Sequence, residues 1–242
     1  MPAADRFLAA RNDPALAVLE GFHALKHALR FGADVLEAVT PDPAAVLDLA
    51  ADLAPDLTSG LAGLLTALGP ADFSLLTPSP PPTPVVALAR RPRVDPARIL
   101  SAPGPAPILL LDRPNHLGNI GAAVRVAAAA GAAGVLTTGE RDPWHPTALR
   151  GSAGLHFAIP VARVAGLPPS DRPLVALDPE GALLWEAALP GRPLLAFGGE
   201  RRGLDPALRA AAHLCVGIPM RPGVSSLNLA TAVAVVLFGW AR

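Results

Sequence analysis

Five short apolar runs punctuate the C-terminal part of this chain: Ile108–Leu111, Gly134–Thr137, Leu174–Leu177, Leu194–Phe197 and Leu214–Ile218. They lack the polar alternation of a strand with one solvated face. Helical stretches, Ile120–Ala130, Leu204–Ala211 and Leu227–Trp240, lie between or after them. Runs apolar on both faces and separated by helices predict an α/β fold with a mostly parallel sheet, covered on both sides. Ligands of such sheets gather at the carboxyl ends of the strands. The turns 112–121, 198–203 and 218–228 fall at those ends and are the candidate functional loops.

In the first turn, Arg125 is the sole formal charge between Pro114 and Gly139. A guanidinium in that Ala-rich setting is costly to bury without an anion or hydrogen-bond acceptors; its plain alternative is a salt bridge or a surface position on the helix. Asn115 and Asn119 either cap that helix or hold a ligand. The second turn reads Gly198-Gly-Glu-Arg-Arg-Gly-Leu204, and its paired glycines admit a ligand close to the backbone. It is neither the dinucleotide fingerprint nor a phosphate loop. Asp205 and Pro206 then open a helix as N-cap and first residue. Taken alone, Glu200 reads as a solvated loop carboxylate. In the third turn, Ile218-Pro-Met-Arg-Pro-Gly-Val-Ser-Ser-Leu-Asn228, Ser226 reads most simply as a helix N-cap. Asn228 is a poor helix former that needs partners inside an apolar helix.

The first 92 residues read as a small α/β module. Helices are expected at Pro14–Phe31, Pro43–Leu53 (with Asp42 as N-cap) and Thr58–Leu68, strands at Val35–Val39 and Val85–Ala89, and a rigid turn at Pro78–Pro84. Residues 93–107 read as a Pro/Arg-rich linker, and 108–242 as a second domain. Arg90, Arg91 and Arg150 are candidate contacts to a phosphate backbone; the linker arginines read equally well as solvated charge.

Twenty basic residues balance 20 acidic ones, so no global field advertises a nucleic-acid partner. Residues 1–100 carry 8 basic and 11 acidic side chains, leaving 12 and 9 for the remainder. The single Cys215 excludes an intrachain disulfide framework and a Cys-rich zinc site, and reads as a small buried hydrophobe. The His residues show no metal-ligand spacing, so no metal is expected. With 4% aromatics and no Tyr, a stacking platform for single strands is not expected either. The start of the chain lacks the apolar core of a signal peptide. The uncharged stretch Pro222–Ala241 contains Pro, Gly, Ser, Asn and Thr and reads as a helix of a core or subunit interface rather than a membrane span. A soluble, cytoplasmic protein is expected.

Read in order, Asn119-Ile-Gly-Ala-Ala-Val-Arg125, Gly198-Gly-Glu-Arg-Arg-Gly203 and Ile218-Pro-Met…Ser226-Leu-Asn228 resemble the three motifs of the SpoU/TrmH family of RNA 2′-O-ribose methyltransferases. Arg150-Gly-Ser-Ala-Gly154 is similar to a turn that the family carries between them. The first part resembles, more loosely, the ribosomal-protein-like substrate domain of the rRNA-modifying branch, through Val18-Leu-Glu-Gly21 and Val85-Val-Ala-Leu-Ala-Arg-Arg-Pro92. The resemblance implies a trefoil-knotted sheet, S-adenosylmethionine as cofactor, and a homodimer packed partly through the last helix. It implies methylation of a ribose 2′-hydroxyl, in rRNA rather than tRNA, with a catalytically silent RNA-binding scaffold as the contrasting reading. Gly198, Gly199, Ile218, Met220 and Leu227 would hold the cofactor. Arg125 would sit at the 2′-hydroxyl and its phosphate, ordered by Asn119, Glu200, Ser226 and Asn228. The family casts this Arg as a base; a guanidinium stays protonated, which favours orienting and clamping. Arg201-Arg202 depart from the family, which often has smaller or acidic residues there, and read either as RNA contacts or as solvated charge.

Overall fold

The structure is a computed structural model describing residues 3–77 and 79–240. Met1 and Pro2, Pro78 of the turn expected over Pro78–Pro84, and Ala241 and Arg242 at the end of the expected second domain lie outside the described residues. In chain order the elements are α1 (Ala3–Ala10), β1 (Leu16–Glu20), α2 (Phe22–Arg30), β2 (Val35–Thr40), α3 (Pro43–Leu53), α4 (Thr58–Leu64), β3 (Leu65–Ala67), α5 (Pro70–Ser74) and β4 (Val86–Arg90). Then follow α6 (Pro96–Leu100), β5 (Ile108–Asp112), α7 (Leu117–Ala129), β6 (Gly134–Thr137), α8 (Pro146–Gly151), β7 (Val161–Arg163), β8 (Leu174–Leu183), β9 (Leu194–Gly198), α9 (Pro206–Ala210), β10 (Leu214–Gly217) and α10 (Leu229–Trp240). They form two compact units: one of residues up to Arg93 together with Trp144–Ala158, and one of Val94–Pro143 with the chain from Ile159 onward.

The first unit holds a four-stranded sheet of order β1-β4-β2-β3, in which β4 runs antiparallel to both neighbours and β3 parallel to β2. The single helix expected over Pro14–Phe31 is a strand and a helix. Leu16, Leu19 and Phe22 satisfy helical spacing, but Ala17–Glu20 is buried as it pairs with β4, and Gly21 breaks the run at φ +91°. Likewise the helix expected to reach Leu68 ends at Leu64, and Leu65–Ala67 joins β2 instead. Asp42 caps α3 as expected, accepting the Ala45 N–H at 3.0 Å.

Residues 144–158, inside the expected second domain, belong to this first unit. His27 Nδ1 lies 2.7 Å from the Ala153 carbonyl, and Arg150 pairs with the buried Glu20 at 3.4 Å. A Cβ on Gly154 (φ +79°) would meet the Ala24 carbonyl oxygen at 2.3 Å. The Ser-Ala-Gly turn is thus shaped to seat against the backbone of α2.

The second unit holds a six-stranded sheet of order β10-β8-β9-β5-β6-β7, parallel at every pairing. Ile108–Leu111 of the central β5 are completely buried, which explains their unbroken apolar character. β10 is an edge strand, and Cys215 on it is half-exposed rather than buried, a correction to its sequence reading. The expected linker is also structured: Asp95 caps α6, and Ile99 and Leu100 enter the core of this unit. Arg172, 2% exposed, fixes the chain that follows. Its guanidinium donates to the carbonyls of Leu100 (2.9 Å), Ala102 (2.7 Å) and Ala106 (2.8 Å). Arg172→Met leaves the Leu100 and Ala106 carbonyls unmatched, while Ala102 keeps the Arg192 guanidinium at 3.3 Å, so we expect a loss of about 2 kcal/mol and a melting temperature lower by about 4–8 °C, read by calorimetry.

Candidate active site

Because all the strands of the second sheet are parallel, the loops after β5, β9 and β10 emerge along one edge. A cleft of about 500 Å³ opens there, between residues 198–204 and 218–229. Its wall after β9 depends on glycine. A Cβ on Gly198 would lie 2.2 Å from the Gly203 carbonyl carbon, and one on Gly199 would lie 2.4 Å from the Arg113 carbonyl oxygen. The loop closes on itself through the Gly203 N–H and the Gly199 carbonyl at 2.9 Å.

A buried carboxylate that the sequence reading passed over anchors this loop. Asp112, 3% exposed at the end of β5, accepts the Asp205 N–H at 2.8 Å and the Thr138 hydroxyl at 2.7 Å. Arg113 (φ +46°) pairs with Asp112 and Asp205, each at 3.2 Å. The signal was present: an acidic residue directly ends an entirely apolar strand. Asp205 caps α9 as expected, accepting the Ala207 N–H at 2.8 Å.

The three turns meet through side chains. Glu200 accepts the Asn115 N–H at 2.8 Å and the Asn119 amide at 2.6 Å. Asn119 in turn accepts the Asn228 amide at 3.0 Å. Partial desolvation pushes the Glu200 carboxyl up, but the bonds from Asn115 and Asn119 outweigh it and hold its pKa below the ordinary carboxylate value. The contribution of this link is therefore complete above the ordinary carboxylate range and lost as pH falls through the depressed value.

Of the residues expected to act, Gly198, Gly199, Ile218, Met220 and Leu227 line the cleft, together with Glu200, Ser226 and Asn228. Ser226 is not the N-cap. The last helix starts at Leu229, two residues later than expected, and Asn228 caps it by accepting the Ala230 N–H at 2.9 Å. That cap, with Asn119, supplies the partners that Asn228 needs. Asn119 adjoins the cleft through Glu200 without lining it. Arg125 stands apart. It is exposed on α7 with no hydrogen-bond or ion-pair partner among the described residues, so the burial that made it conspicuous in the sequence does not occur. Six residues beyond Asn119, it lies about 9 Å further along the axis and about 240° around it.

Residues 106–238 match the SpoU rRNA Methylase family. The chain belongs to that family. This SpoU protein is 30% identical over 233 residues to the 23S rRNA (guanosine(2553)-2′-O)-methyltransferase RlmP of Bacillus subtilis, covering 91% of this chain and 86% of the relative. It is 34% identical over 147 residues to the 23S rRNA (uridine(2479)-2′-O)-methyltransferase of Streptomyces viridochromogenes, covering 54% of this chain and half (50%) of that protein's length. Among solved structures, the SpoU methyltransferase AviRb from Streptomyces viridochromogenes, in complex with the cofactor AdoMet, superposes with a TM-score of 0.79 at 25% identity. That likeness covers 98% of this chain and 96% of AviRb.

The expected RNA-binding arginines of this SpoU protein have local partners: Arg90 pairs with Asp34 at 2.8 Å, Arg91 lies 5.4 Å over the Trp144 ring, and Arg150 pairs with Glu20. No helix among the described residues is long and apolar enough to cross a membrane.

Proposed function

We propose that this protein transfers a methyl group from S-adenosylmethionine to a ribose 2′-hydroxyl of ribosomal RNA. The observation that carries this reading is the hydrogen-bonded chain Glu200–Asn119–Asn228, which joins three distant motifs beside a cleft of cofactor size. The residues present fit S-adenosylmethionine. Gly198 and Gly199 line the cleft without side chains, and Ile218, Met220 and Leu227 offer it apolar contact. Bound there, the cofactor supplies a methyl group already activated on a sulfonium.

The protein's own task is then alignment. The linked amides of Asn119 and Asn228 hold α7 and the start of α10 in fixed relation, and Glu200 ties the cofactor loop to both. Arg125 orients the hydroxyl and clamps the neighbouring phosphate, a task that its planar fork of donors suits. Since Arg125 does not line the cleft of its own chain, we assign it to the cleft of a second copy in a homodimer. The uncharged α10 supports such an interface, as do Phe238 (53% exposed) and Trp185 (57% exposed), both in this unit. A knotted path is part of the proposal. β10 sits at the sheet edge beside β8, while α10 returns to pack on α7 and β9.

Ribosomal RNA is favoured over tRNA by the match to a 23S rRNA methyltransferase along 91% of this chain, which takes in the first unit. We assign that unit, residues 1–92 in the sequence reading, to RNA substrate binding, and cytoplasmic action follows for an enzyme of ribosomal RNA. Incubating the purified protein with labelled S-adenosylmethionine and unmodified ribosomal RNA or tRNA tests this. Label recovered as 2′-O-methylnucleoside from ribosomal RNA is expected; label in tRNA alone, or cofactor bound without transfer to either, refutes it.

A further inference from the structure

The chain as a whole is neutral, so its affinity for a polyanion has to come from local charge that no carboxylate cancels. In the second unit several arginines are cancelled. Arg113 faces Asp112 and Asp205, Arg192 faces Asp171 at 3.4 Å, and Arg209 faces Asp178 at 3.2 Å and Glu180 at 2.8 Å. Arg172 is buried on backbone carbonyls. Arg201, Arg202 and Arg221 differ. All three are exposed, and none of their guanidiniums has a hydrogen-bond or ion-pair partner among the described residues. They also occupy the two loops that wall the cleft: Arg201 and Arg202 between β9 and α9, Arg221 between β10 and α10.

Three exposed guanidiniums on the two loops gather positive charge at the cleft, and the only carboxylate of the 199–203 loop, Glu200, is engaged by Asn115 and Asn119. A solvated charge gains nothing from being placed there, whereas a phosphodiester strand crossing the cleft mouth meets unpaired donors on both sides. Arginine suits that task, since its planar fork matches phosphate oxygens.

We propose that Arg201, Arg202 and Arg221 bind phosphates of the RNA strand on either side of the reacting nucleotide, holding it across the cleft mouth. This rests on the reading of the cleft as an RNA methylation site. It makes the extra arginines of the second motif, which depart from the family pattern, part of the substrate grip.

Salt dependence of binding measures such contacts directly, at about 0.7 in the slope of log K against log salt for each single-strand phosphate. The probe is an unmodified large-subunit ribosomal RNA transcript, titrated with the full-length protein. The triple variant R201Q/R202Q/R221Q should lower the slope by about 2, so that the wild-type advantage shrinks about 20-fold between about 50 and 200 mM salt. The triple Arg→Lys variant keeps the charge and should restore most of the slope. An unchanged slope in the Gln variant overturns the proposal, as does equal loss in the Gln and Lys variants, which would show that folding rather than charge was affected. Failure of the wild type to methylate RNA, with the slope still lowered as stated, would sink the catalytic reading and leave the phosphate contacts standing.

Discussion

Arg125→Ala should leave the protein folded and its affinity for S-adenosylmethionine unchanged, while methyl transfer to RNA falls by about 100-fold or more. The side chain is exposed on α7 and has no partner within its own chain among the described residues, so removing it breaks nothing in the fold. It does not line the cleft of its own chain, and in the partner's cleft it is assigned to the substrate hydroxyl and phosphate rather than to the cofactor, so cofactor affinity is expected to hold. The whole effect therefore falls on the substrate hydroxyl, where removing one positioned donor commonly costs about 10²–10³ in rate. Arg125→Lys keeps a charge but not the planar fork, and recovers only part of the lost rate. Single-turnover kinetics with calorimetry of cofactor binding check both halves. Weakened cofactor binding in Arg125→Ala, or full activity, contradicts the assignment.

Gly198→Ala should have the opposite signature: cofactor affinity is lost, and activity with it. The added methyl would sit 2.2 Å from the Gly203 carbonyl carbon and the Leu204 nitrogen, both backbone atoms that cannot rotate away. The loop has to open, and opening pulls it from the wall that Ile218 and Leu227 share. β9 is otherwise paired on both sides by β5 and β8, so the sheet persists while the loop at its end shifts. Calorimetric titration with S-adenosylmethionine is expected to show affinity down about 100-fold or more, equivalent to about 2.7 kcal/mol. Wild-type affinity in this variant would place the cofactor elsewhere.

The second sheet was legible because burial on both faces leaves an apolar run with no polar alternation, and β5, β6, β8, β9 and β10 all carry such runs. Its edge strand β7 is three residues, Val-Ala-Arg, too short to stand out. β1 was hidden because Leu16, Leu19 and Phe22 fit a helix as well as a strand, and only pairing with β4 decides between them. The motifs named the cleft residues, but not how they join. The bond from Asn228 to Asn119 spans 109 residues, and nothing local in either segment specifies it. Nor does any local pattern show that Trp144–Ala158 leaves the second unit for the first. That choice rests on Gly154 fitting against Ala24 and on Arg150 meeting Glu20. Arg125 misled in an instructive way. A lone charge in an Ala-rich segment suggested burial, but such a helix can also have one exposed face with nothing else charged on it.

Co-expression of the two inactive variants tests the shared site most directly. In an isologous dimer that takes its cleft from one copy and Arg125 from the other, an Arg125→Ala chain keeps the cleft and a Gly198→Ala chain keeps the arginine. Half of the dimers formed at random are mixed, and each mixed dimer holds one complete site, so roughly a quarter of wild-type methyl transfer should return. If both variants fold and dimerise yet their mixture stays as inactive as either alone, Arg125 does not complete a second copy's cleft, and the site described here is wrong.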